Sequence, residues 1–147
     1  MKDAATDRPT NTAKEKAEFL LEAGLSKKAQ NPILIKLEGL TSLTDYFLIL
    51  SARSARQVRA VAEAILLDAR KHRLKRYSAE GVQEGNWALL DYGDVVVHVF
   101  QPEIRDFYDL EGLWAEAERE AFTGDLAREI EESSEPAEED DEEDSWE

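Results

Sequence analysis

Four side chains could do acid–base or metal chemistry: Asp45, Asp91, Asp94 and His98. Asp94 and His98 lie at i and i+4, which share a face in a strand, so the two can point the same way. The simpler reading makes Asp91 and Asp94 turn residues, because aspartate in a turn bonds its own backbone, and His98 a structural or surface histidine. Two histidines and no cysteine leave few nucleophile candidates. The chain has no glycine-rich phosphate loop, no HExxH, no CxxC and no nucleophile elbow. His72, among Arg70, Lys71 and Arg73, reads as a helix-end residue beside the dipole. No catalytic residue, metal or cofactor is expected from this set.

Aromatic residues make the stronger signal. Seven of the 12 (Trp87, Tyr92, Phe100, Phe107, Tyr108, Trp114 and Phe122) fall in or just after the run from Glu80 to Trp114. Trp87, Leu89 and Asp91 alternate to one face of a strand, and Tyr92 and Asp94 ring the turn that follows. Aromatics beside carboxylates suit a surface that grips a basic partner. They suit equally a core in which Trp87 and Leu89 pack under a neighbouring helix, and periodicity alone leaves both readings open.

The elements that must position these residues can be read in order. Thr12 and Glu15 form a capping box for a helix reaching about Ala29, weakened late by Gly24 and stopped by Asn31-Pro32. Ile33 to Leu37 and Tyr46 to Ala52 are short apolar strands suited to a sheet interior. Ser54 caps a second helix to about Arg73, whose Val58, Val61, Ala62, Ile65, Leu66 and Ala69 fall at helical spacing. Arg56 and Arg59 lie on its outward face with Glu63, a solvated face by default and an RNA-phosphate stripe as the functional reading. Strands follow at about Lys75 to Ala79, Trp87 to Asp91 and Asp94 to Gln101, with Gly93 supplying the positive φ of a tight hairpin. In the last strand Val95, Val97 and Val99 share one face, and Val96, His98 and Phe100 the other. Pro102 opens a short helix, and Phe107 to Ala121 is predicted to form another. The order α-β-β-α-β-β-β-α predicts an α/β domain with a small mixed sheet flanked by helices.

Composition divides the chain into three parts. Residues 1–11 read as a disordered leader, 12–127 as the domain and 128–147 as a disordered acidic tail. The net charge of −15 arises mostly in the tail, since residues 129–147 hold 12 of the 33 acidic residues and no basic one. The remainder carries 21 acidic against 18 basic residues, or −3, which disfavours naked nucleic acid as the main partner and leaves room for a basic protein. Trp146 is a docking handle or a solvated tryptophan. No apolar run approaches the roughly 20 residues of a membrane span, and the polar first residues lack a signal peptide's apolar stretch, so a cytoplasmic protein is expected.

The segments GLTSLTDYFLILSARSARQVRAVAEAI, EGNWALLDYGDVVVHVF and RDFYDLEGLW together resemble the ribosomal silencing factor (iojap/YbeB) family. The resemblance runs from about Leu20 to Trp114 and leaves the tail outside. Positions 51–53 (Ser-Ala-Arg) depart from the small residue plus glycine often found in relatives. The resemblance implies a nucleotidyltransferase-like fold without demonstrated catalysis, and a homodimer when free. It implies binding to the large ribosomal subunit through its ribosomal protein fourteen, which blocks subunit joining and represses translation under nutrient limitation. It places the partner-contact region at Trp87, Asp91, Tyr92 and Asp94, to which strand alternation adds Leu89, while Arg56 and Arg59 stay candidate RNA contacts on the charge pattern of their helix alone. His98 matches a family histidine without an assigned role. The rival readings are a magnesium-dependent nucleotidyltransferase-like enzyme using Asp45, Asp91 or Asp94, and a large-subunit assembly factor with RNA contacts.

Overall fold

The computed structural model describes residues 12–122, so the expectations for the leader and the tail lie outside the described residues. Helix α1 (Ala13–Leu25) starts as the capping box predicts, with the Thr12 hydroxyl accepting from the Glu15 amide at 3.0 Å. It ends at Ser26, short of Ala29. Asn31-Pro32 instead falls inside β1 (Gln30–Lys36), at a register shift between Gln30 and Ile33. A bulge tolerates a residue without an amide hydrogen, so the proline shapes the strand.

Strand β2 (Tyr46–Ser51), helix α2 (Ala55–Lys71) and the short strand β3 (Ser78–Glu80) follow, then the hairpin of β4 (Trp87–Asp91) and β5 (Val95–Phe100). Helices α3 (Pro102–Tyr108) and α4 (Leu110–Leu113) lead into β6 (Glu118–Ala121). The sheet order is β3-β4-β5-β2-β1-β6; the central pair β2–β5 is parallel and every other pair antiparallel. The α/β class and mixed sheet therefore match the sequence reading.

The long helix predicted over Phe107 to Ala121 does not form. Asp109 takes a left-handed conformation (φ 48°), ends α3, and caps α4 through its side chain and the Gly112 amide. The chain then pairs along the free edge of β1. All four side chains of β6 are exposed, so no apolar alternation marked it as a strand. Its charged residues suit a sheet edge.

The two faces of the sheet are covered unequally. Leu48 and Leu50 of β2, Leu90 of β4 and the three odd-numbered valines of β5 are buried against Leu20 and Leu21 of α1 and Val58, Val61 and Ile65 of α2. Gly24, read from sequence as a weak point, lies where α1 meets the core. A Cβ there would come within 2.8 Å of Leu50 Cδ1, so the absent side chain lets the helix approach. The opposite face carries a smaller cluster of Ile35, Leu37, Ile49, Phe100 and Ala117, which among the described residues the chain from α3 to Ala117 covers.

A half-covered sheet face as candidate docking site

Strand pairing sets the site's grid. Trp87 stands opposite Phe100, Leu89 opposite His98 and Asp91 opposite Val96. Across the parallel pair, Phe47 aligns with Val96, Ile49 with His98 and Ser51 with Phe100. Directly paired residues share a face, so Trp87, Leu89, Asp91, Val96, His98, Phe47 and Ile49 all project away from α1 and α2. At the centre of this grid is His98.

Arg105 fastens the cover. Its guanidinium donates to the Ser51 hydroxyl at 2.7 Å and the Asn31 carbonyl at 2.8 Å, and it forms a two-nitrogen pair with Glu111 at 2.8 and 3.0 Å. This holds α3 and α4 over the β1–β2 end of the face, where Ile104, Leu110 and Trp114 pack on the smaller cluster. Beyond the cover an open pocket of about 280 Å³ remains. Leu37, Leu43, Phe47, Leu89, Asp91, Val96, His98 and Trp114 are among its lining residues. Leu43 at its rim is 83% exposed. Ring contacts continue from Phe47 through His98 and Trp87 to Tyr108 and the exposed Phe107, with successive centroids 4.5 to 5.9 Å apart.

His98 is buried, and its Nδ1 accepts a hydrogen bond from the Trp87 indole at 3.0 Å. That bond requires the tautomer with hydrogen on Nε2. Burial lowers the His98 pKa to about 4, so the ring is neutral near pH 7. Among the described residues Nε2 has no hydrogen-bond partner.

The five hairpin residues singled out by sequence separate in space. Trp87, Leu89 and Asp91 share the open face, with Trp87 half-buried against Phe100 and Tyr108. The Asp91 carboxylate also accepts from the Gly93 amide at 2.8 Å, as a turn aspartate would. Tyr92 points the other way. It is 2% exposed within the helix-side core, where burial raises its phenol pKa and nearby Arg76 lowers it in part. Asp94 turns to the helix layer and pairs with Lys16 of α1 at 2.6 Å. Asp94 and His98 are therefore not joined in one cluster, and among the described residues no three His, Cys, Asp or Glu side chains form a potential metal site. Arg56 and Arg59 are on α2, in the layer behind the sheet, where Arg59 donates to the Gln83 carbonyl at 3.1 Å.

Sequence reasoning missed Phe47, Leu43 and Arg105 at this site. Phe47 alternates within an apolar strand like any core residue, and Leu43 belongs to a loop. The density of RDFYDLEGLW was the one signal for Arg105, whose partners are distant in sequence.

The family model described as ribosomal silencing factor during starvation matches residues 10–147. The chain belongs to the ribosomal silencing factor family. The match extends through the acidic tail that the motif resemblance left out. The ribosomal silencing factor RsfS of Bacillus subtilis is 41% identical over 91 residues, covering 62% of this chain and 77% of that protein. A mouse relative named mitochondrial assembly of ribosomal large subunit protein 1 is 31% identical over 106 residues, covering 69% of this chain and 46% of its own. The crystal structure of a Chromobacterium violaceum protein superposes with a TM-score of 0.69 at 35% identity, covering 71% of this chain and 87% of that one. Among the described residues no helix is long and apolar enough to cross a membrane.

Proposed function

We propose that this chain represses translation by docking its half-covered sheet face on the large ribosomal subunit, through ribosomal protein fourteen, so that the small subunit cannot join. The observation that carries this reading is the pocket lined by Leu89, Phe47 and Trp114, with exposed Leu43 at its rim, in a chain of the ribosomal silencing factor family. An apolar patch rimmed by polar groups is a common form of protein contact site. A named mouse relative in large-subunit assembly supports the choice of subunit.

The mechanism is steric exclusion, with no bond made or broken. Trp87, Leu89, Phe47 and Leu43 supply apolar contact area, and Asp91 orients a basic partner. Tyr92 and Asp94 act from behind by fixing the hairpin turn to α1. When free, the same face closes against a second copy, giving a cytoplasmic homodimer. Arg56 and Arg59 are on the opposite layer, so an RNA contact through them would use a different part of the ribosome.

A subunit-joining assay tests the proposal. Adding the protein to separated subunits should lower the light-scattering signal of joined ribosomes in proportion to the large subunits occupied. Unchanged joining at saturating protein would reject it.

A further inference from the structure

A second open pocket, of about 670 Å³, lies on the helix side at the end of α2. Leu66 and Leu74, packed against the helix-side core, and the exposed Leu67 give it an apolar lining. Arg70, Arg73 and Arg76 also line it and are exposed, against one acid, Glu63. They belong to residues 70–76, a run with five cationic side chains and no acidic one. The helix dipole accounts for Arg70 and Lys71 in the last turn of α2, but it fades beyond that turn, where Arg73, Lys75 and Arg76 stand. Among the described residues Arg70, Arg73 and Arg76 form no ion pair. The pocket therefore suits an occupant that carries negative charge and an apolar surface together.

We propose that Trp146 of the same chain seats in this pocket, with its ring on the leucines and the acidic residues beside it paired to the arginines. Residues 141–147 set one large apolar ring among five carboxylates, the chemistry that the lining complements. Guanidinium groups both stack on an indole and bind carboxylates through charge-assisted hydrogen bonds. The reach is short. Lys14 of α1 pairs with Glu120 of β6, and Phe19 of the same helix meets the His72 ring at 4.4 Å, so α1 bridges the end of β6 and the end of α2. Residues 123–146 can extend to about 80 Å, far more than the roughly 10–12 Å width of a helix. Tethering gives this occupant a high effective concentration over any free polyanion. Once seated, it covers a cationic surface that otherwise attracts RNA phosphate. The inference does not depend on the proposed docking of the sheet face.

Fluorotryptophan labelling of the full-length protein gives a fluorine resonance for each of the three tryptophans, and Trp146→Phe identifies the Trp146 signal. Spectra are recorded at low salt, at about 0.5 M salt, and for the charge-reversed Arg73→Glu/Arg76→Glu protein. Unmoved Trp87 and Trp114 signals confirm that the variants keep their fold.

The expected wild-type Trp146 signal at low salt is displaced from the position of solvated fluorotryptophan and unchanged by dilution. It should return toward that position at high salt and on charge reversal. A wild-type signal at the solvated position would overturn the proposal. So would a displacement that survives charge reversal, which seats the ring elsewhere, or one lost on dilution, which assigns it to the tail of a second copy. A solvated Trp146 together with weaker large-subunit binding by the charge-reversed protein would make the pocket an RNA-phosphate surface instead.

Discussion

His98 shows how one residue can be legible in type and illegible in role. Its place in an alternating strand could be read from sequence, but its burial depends on Phe47, Trp87 and Phe100 closing around the ring. Burial lowers the folded-state pKa to about 4, below the ordinary value of 6.5. Between those values the unfolded chain takes up a proton that the folded chain refuses, so stability must fall as pH drops from about 6.5 to 4. The contribution is about 3 kcal/mol across that window. Wild type minus His98→Gln, compared by urea unfolding at successive pH values, isolates it from the carboxylates; equal pH slopes would show that His98 is not buried as described. Trp87 needs similar care. It touches Phe100, Tyr108 and His98, so Trp87→Ala should cost about 2–4 kcal/mol of stability as well as any binding. Tyr92 was misplaced from sequence because a turn position says nothing about which face its ring will pack beneath.

At the scale of elements, α1, α2 and the β4–β5 hairpin were readable because each pairs an apolar period with a cap or turn residue. Thr12, Ser54 and Gly93 all act where the sequence places them. The chain after Pro102 was not readable in the same way. It is organised by Arg105, which reaches residues on β1 and β2 far away in sequence, and by backbone pairing of β6 that leaves no side-chain pattern. Arg105→Ala should therefore free the cover without disturbing the helix-side core. The expected loss is about 2 kcal/mol, since Glu111 and Ser51 lose a largely buried partner. Hydrogen exchange should accelerate selectively over residues 102–117. Uniform acceleration across the sheet would mean that the cover and core unfold as one unit.

For the whole molecule, the acidic charge is concentrated at one end of the sequence. The tail carries 12 of the 33 acidic residues and the rest of the chain is close to balanced, while the exposed apolar residues Leu43, Phe107 and Tyr108 adjoin the open sheet face. A large subunit is surrounded by phosphate charge, so a segment this acidic opposes approach over about a Debye length, roughly 10 Å at 0.1 M salt. Removing residues 129–147 should tighten large-subunit binding at low salt, with the gain vanishing near 0.5 M. Equal affinities at every salt concentration would assign the tail no electrostatic part in binding. The fold class was legible throughout, because it follows from local patterns. The proposed docking face was legible only in part, because among the described residues it depends on how far the cover of α3 and α4 reaches over the sheet.

The most direct test replaces apolar contacts at the pocket without touching the core. Leu43 is largely exposed at the rim, and Leu89 is a half-buried pocket residue. The double variant Leu43→Glu/Leu89→Gln should fold with a melting curve near that of wild type, and co-sedimentation of each protein with purified large subunits is then measured. The account predicts near-stoichiometric wild-type binding and at least a thirtyfold weaker variant, from roughly 2 kcal/mol of lost contact. A folded variant that co-sediments as well as wild type would contradict it.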